Sequence, residues 1–132
     1  MKKIILLLIC GCVFLATPVM AGTCNGGTEI TAKNGKVFCK SDKTMNWWTA
    51  FNWCASQGRS LANFSTMCPG VATITNNTAG ACSNLQGVGG NVWVWTNVAY
   101  STGSAYRVSL SSGVVSAYGN RNDVSSYFAF CE

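Results

Sequence analysis

Four acids and no histidine are all that this chain of 132 residues offers for proton transfer: Glu29, Asp42, Asp123 and Glu132. General acid–base hydrolysis needs two carboxyl groups held as a pair, and these four are scattered along the sequence. The serines are plentiful, yet none lies in a Gly-x-Ser-x-Gly elbow and no imidazole exists to activate one. Zinc has no Cys-x-x-Cys pair to hold it, and calcium, which wants several charged oxygens, finds too few. The chain therefore reads as non-catalytic, without a metal or cofactor. Contact chemistry is what it has in quantity. Tyr100, Ser101, Tyr106, Arg107, Tyr118, Asn120, Arg121 and Asn122, with Ser125 and Tyr127 close behind, combine rigid amphipathic rings with small adaptable polar groups and two guanidiniums. Such mixtures make good ligand-contacting surfaces. The plainer alternative is that the serines and asparagines form loops and that Tyr127 packs in the core.

The cysteines say where this chemistry operates. Lys2 and Lys3 precede an apolar run over residues 4–16, and Val19-Met20-Ala21 supplies small residues for cleavage, so residues 1–21 read as a secretory signal peptide. The run is too short to span a bilayer. A lipobox-like Ile9-Cys10-Gly11-Cys12 offers an alternative, a lipoprotein anchored at Cys12. Cys10 and Cys12 leave with the leader, so of eight cysteines six remain: Cys24, Cys39, Cys54, Cys68, Cys82 and Cys131. In an exported chain an even set implies three disulfides, with the pairing open from the count alone. Secreted, periplasmic and cell-surface locations all fit, and no transmembrane segment is expected in the mature chain.

Loss of Lys2 and Lys3 takes the formal charge from +5 to +3. The excess sits early, in Lys33, Lys36, Lys40 and Lys43. A solvated face explains it simply, and a patch for an anionic polysaccharide or membrane surface is the sharper alternative. No nucleic-acid-binding motif accompanies it, so nucleic acid is not expected as a partner.

The elements that must position these residues follow from pattern. Residues 28–32 alternate, Lys33-Asn34-Gly35-Lys36 holds an Asn-Gly turn and residues 37–39 return, which predicts a hairpin that a Cys24–Cys39 bridge would lock. Asp42 or Thr44 can cap a helix in which Trp47, Ala50, Phe51 and Cys54 share one face, and Gly58 stops it. Trp47 and Trp48 cannot both point into the core from one helix, so one of the five tryptophans is a candidate for stacking on a sugar. Residues 59–64 read as a short strand or extended link, and Ser65 opens at most one helical turn. Residues 69–81 are loop-like, and a local Cys68–Cys82 bridge would restrain them. Residues 92–96, 105–110, 113–118 and 127–131 read as strands, the first apolar on both faces. A helix or two followed by a strand-rich half is an α+β layout.

Taken in order, these motifs resemble a known family. Trp48, Phe51, Cys54, Gly58, Leu61 and Ala62 stand approximately in the helix pattern of C-type-lectin-like domains. Residues 92–96 match their aromatic central strand with its Trp-Thr, and Cys131-Glu132 matches their closing Cys-Glu. The resemblance covers residues 37–132. It implies a disulfide-stapled α+β fold with one or two short helices and a small twisted antiparallel sheet, over residues 22–132, with an N-terminal hairpin extension at 22–40. It also implies that Cys54 pairs with Cys131, and that a protein or glycan ligand is held by the C-terminal loops and strands. Some bacterial and phage members diversify that stretch by retroelements. Calcium-dependent members use Glu-Pro-Asn or Gln-Pro-Asp with Trp-Asn-Asp. Here Tyr100-Ser101-Thr102-Gly103-Ser104-Ala105-Tyr106 has neither proline nor carboxylate, and Arg121 stands where tryptophan would precede Asn122-Asp123. The latter reads more simply as turn chemistry. A copper oxidase family on this fold uses paired cysteines, which here are better used as staples. The alternative to a binding module is a structural or minor subunit of a surface appendage, although no prepilin motif precedes the apolar run.

Overall fold

The computed structural model describes residues 24–71, 74 and 80–132. The expected leader at residues 1–21, its alternative anchor Cys12 and part of the Cys68–Cys82 loop lie outside the described residues. Gly27–Thr31 (β1) and Val37–Thr44 (β2) pair antiparallel from Gly27↔Ser41 to Thr31↔Val37. Gly35 turns the chain at φ 88°, which its missing Cβ allows, and Asn34 Oδ1 accepts from the Lys36 N–H at 3.1 Å. β2 runs past Cys39 through Asp42 and Thr44, so neither of these caps the helix. That role falls to Asn46, whose side chain accepts from the Thr49 N–H at 2.8 Å. The helix Trp47–Ser56 (α1) buries Trp47, Ala50 and Cys54, while Phe51, expected on that face, is 36% exposed at its margin. Gly58, at φ 67°, closes it by donating to the Ala55 carbonyl at 2.9 Å.

Trp93–Ala99 (β3), Ser104–Ser109 (β4), Val115–Asn120 (β5) and Tyr127–Cys131 (β6) complete a six-stranded sheet in the order β1-β2-β6-β3-β4-β5. The sheet is mixed rather than antiparallel as expected. β6 lies antiparallel to β2, with Cys39 opposite Cys131, but parallel to β3, with Trp93 opposite Tyr127 and Val94 opposite Phe128. The cause is the link over residues 121–126. Instead of turning back as a hairpin, it carries the chain past the start of α1, where the Trp47 N–H donates to the Arg121 carbonyl at 3.0 Å and the Met45 N–H to the Tyr127 carbonyl at 2.9 Å.

Alternation along β6 divides the interior in two. Phe128 and Phe130 join Phe38, Val94, Val108 and Val115 beneath the short helix Phe64–Met67 (α2), while Tyr127, Ala129 and Cys131 join Trp95 and Ala105 beneath α1. The Asn63 side chain caps α2. Between the two layers Leu61 makes a lone bridge to Cys131. Ala62 donates to the Phe130 carbonyl and accepts from the Asn97 N–H, so this extended link fills the gap where β6 and β3 diverge. Disulfides join Cys24–Cys39, Cys54–Cys131 and Cys68–Cys82, with Cα atoms 5.6, 5.5 and 4.9 Å apart. The architecture is thus α+β with two helices and three staples, and the helix-to-last-strand pairing is the one the family resemblance implied.

Gly119 shows how closely β5 approaches the core under α1. A Cβ there would lie 2.5 Å from Trp95 Cζ3 and 2.9 Å from the Ala105 carbonyl oxygen. Gly119→Ala is therefore expected to cost about 2 kcal/mol through overpacking, read as a lower urea midpoint. An unchanged midpoint would mean that Trp95 does not back onto β5.

Candidate functional site

Tyr100 leaves β3, Tyr106 sits on β4 and Tyr118 on β5, and the sheet brings the three rings together. Tyr100 meets Tyr106 at 5.5 Å and 79°, and Tyr118 at 6.0 Å and 82°, both edge to face. Tyr106 is half-buried against the core under α2, whereas Tyr100 is 53% and Tyr118 60% exposed. One ring is therefore anchored and two are presented. The turn beneath them is tightly made: the Tyr100 and Ser101 N–H groups both donate to the Ser104 carbonyl, and the Ser101 and Ser104 hydroxyls lie 2.7 Å apart. Asn120 lies opposite Ser104 in the sheet, and its Oδ1 accepts from the Asn122 N–H at 3.0 Å. Tyr100, Ser101, Tyr106, Tyr118, Asn120 and Asn122 thus gather at one end of β3–β5, with Ser101, Asn120 and Asn122 exposed.

The two arginines expected beside them are placed differently. Arg121 is only 9% exposed; its guanidinium lies 5.0 Å from the Trp47 ring and 4.9 Å from the Trp48 ring and donates to the Thr102 carbonyl. It rivets the β3–β4 turn to α1. Arg107, on the α1 face, packs over Trp93 at 4.4 Å and Tyr127 at 4.7 Å and donates to the Tyr127 hydroxyl. Tyr127 itself is buried, edge-on to Trp95 at 4.5 Å. Both cations are held by aromatic rings and hydrogen bonds within the protein.

Trp48, on α1, is a further exposed aromatic residue. Trp47 turns inward, with its indole N–H donating to the Thr96 carbonyl at 2.8 Å, and Trp48 turns outward at 53% exposure. The adjacency of the two tryptophans signalled that one must face solvent; what it could not signal was the Arg121 link to the tyrosine turn.

Asp123 confirms that the Asn122-Asp123 pair does turn chemistry. Its Oδ1 accepts from the Ser125 N–H at 2.8 Å and the Ser125 hydroxyl at 3.0 Å. Hydrogen bonds, first from the Ser125 backbone and then from the Ser126 side chain, hold its carboxyl below the ordinary 3.8. A carboxyl whose folded pKa is depressed stabilises the loop above pH 3.8, and that contribution is lost as pH falls through the folded value. A carbon-detected NMR titration is expected to give Asp123 a midpoint below 3.8; a midpoint at or above it would contradict these bonds.

The four lysines do not form one patch. Lys36 and Lys43 lie at opposite ends of β2, about 23 Å apart at strand rise. Lys40 is half-buried over Phe128 at 4.2 Å, donates to the Ser41 carbonyl and has its pKa lowered, chiefly by burial. Lys33, Lys36 and Lys43 are exposed.

Among the described residues no group of three or more His, Cys, Asp or Glu could hold a metal ion, and no helix is long and apolar enough to cross a membrane. No protein-family model, curated protein or solved structure matches the chain.

Proposed function

We propose that this protein is an exported, non-catalytic binding module of the C-type-lectin-like kind, which takes a protein or glycan ligand on its C-terminal surface without calcium. The observation that carries this reading is the cluster of Tyr100, Tyr106 and Tyr118. The presented Tyr118 rests against Tyr100, which in turn rests against half-buried Tyr106; such braced rings contribute contact area at little entropic cost on binding, and the exposed Ser101, Asn120 and Asn122 beside them supply donors and acceptors. The Cys54–Cys131 link from α1 to β6 supports the family assignment, and three disulfides fit an oxidising, exported setting.

The test is to screen the disulfide-intact protein against a glycan array and a panel of cell-surface proteins, then repeat each hit with Tyr100→Ala/Tyr118→Ala. A loss of about tenfold or more in affinity is expected, with Tm nearly unchanged because both rings are largely exposed. Undiminished affinity would remove the tyrosine surface from the account. One observation favours a second reading, a subunit of a surface appendage: Trp48, Phe51 and Val124 are exposed apolar side chains that a neighbouring copy could cover. Concentration-dependent assembly in sedimentation, lost in Trp48→Ala, would favour it.

A further inference from the structure

We propose that the cleft between the β1–β2 hairpin and α1 is a second binding site, for a hexuronate residue of an acidic polysaccharide. This does not rest on the tyrosine surface, and either can fail without the other. The cleft encloses about 330 Å³ and is lined by Gly26, Ser41, Asp42, Lys43, Met45 and Trp53. That is near the lower end of small-ligand pockets, about 300–1,000 Å³, and suits a single sugar ring.

Its walls match the chemistry of such a ring. Trp53 provides an indole for the C–H face, braced by the hairpin: a Cβ on Gly27 would lie 2.9 Å from Trp53 Cη2. In a regular strand the successive Asp42 and Lys43 would point to opposite faces. The β2–β6 register shifts between Lys40 and Thr44, and both residues line the cleft. The Asp42 carboxylate stays on the Thr28 side of the hairpin, and alternation leaves Lys43 as the one of the pair on the α1 side. The distortion is pinned by buried Ser41, whose hydroxyl donates to the Lys43 carbonyl at 2.7 Å and accepts from the Ala129 N–H at 3.0 Å.

The charges favour an anion. Asp42 Oδ1 accepts from the Thr28 hydroxyl at 2.9 Å, and its charge interacts with that of Lys40. The Lys43 ammonium has no ion pair among the described residues. With the Asp42 carboxylate held by Thr28, Lys43 is the charge at the rim placed to take the sugar carboxylate.

The experiment titrates ¹⁵N-labelled, disulfide-intact protein with sodium trigalacturonate, and with maltotriose as the neutral comparison. Saturable shifts are expected at the Trp53 indole N–H, identified by its absence from Trp53→Phe, and at the Gly26, Lys43 and Met45 amides. Lys43→Gln, an exposed change that leaves the fold intact, is expected to weaken binding about fivefold, and maltotriose to bind at least about fivefold more weakly. An unmoved Trp53 signal, equal affinity in Lys43→Gln, equal binding of maltotriose, or shifts confined to Lys33 and Lys36 would each overturn the proposal.

Discussion

Replacing Trp95 by alanine is expected to lower the unfolding free energy by about 4–5 kcal/mol, the upper range for deleting a large buried aromatic side chain. Trp95 is fully buried, edge-on to Tyr127, and it fills the space left by the absent side chain of Gly119. Its indole N–H also donates to the Met45 carbonyl at 2.9 Å, in the segment joining β2 to α1. The substitution therefore opens a cavity and strands a backbone acceptor at once. Trp95→Phe keeps much of the volume but loses the bond, so it is expected to cost distinctly less. Urea denaturation of the two variants checks this. Equal losses would mean that volume contributes little, and a loss below about 2 kcal/mol for alanine would contradict the packing described.

The paired substitution Cys54→Ala/Cys131→Ala is expected to cost nearly as much, by a different route. These cysteines lie 77 residues apart, so the bridge removes more freedom from the unfolded chain than Cys68–Cys82, whose separation is 14. The chain-entropy model assigns about 4.5 kcal/mol to the first and about 3 to the second. Small domains are stable by only about 5–15 kcal/mol, so losing the long bridge removes a large share. Comparing Cys54→Ala/Cys131→Ala with Cys68→Ala/Cys82→Ala by urea denaturation tests the ranking. A larger loss from the short-loop pair would show that α1 and β6 hold together without their bridge.

Local signals in the sequence were informative where a single residue decides the backbone. Asn34-Gly35 marks the hairpin, Gly58 ends the helix, and the alternation of Tyr127 to Cys131 gives a strand with the expected bounds. β2 was harder to read because Lys40, Ser41, Asp42 and Lys43 look like loop; β1 on one side and β6 on the other hold them as strand, overriding weak propensity. The parallel pairing of β6 with β3 has no local signature, since it depends on where residues 121–126 carry the chain.

The candidate site divides in the same way. Tyr100, Tyr106 and Tyr118 were identifiable by residue type, and adjacent strands bring them together. Arg107 and Arg121 look like contact residues in sequence, but their fate is set by rings from elsewhere in the chain: Trp93 and Tyr127 for one, Trp47 and Trp48 for the other. The Trp53 cleft was not legible, because Gly26, Met45 and Trp53 converge only once the hairpin packs on α1.

The most direct test of the binding-module account is hydrogen–deuterium exchange of the intact protein with and without a ligand recovered from the array or surface-protein screen. The account predicts protection concentrated in two segments, residues 99–106 and 117–123, with α2 unaffected. Protection elsewhere, with both segments unchanged, would contradict it.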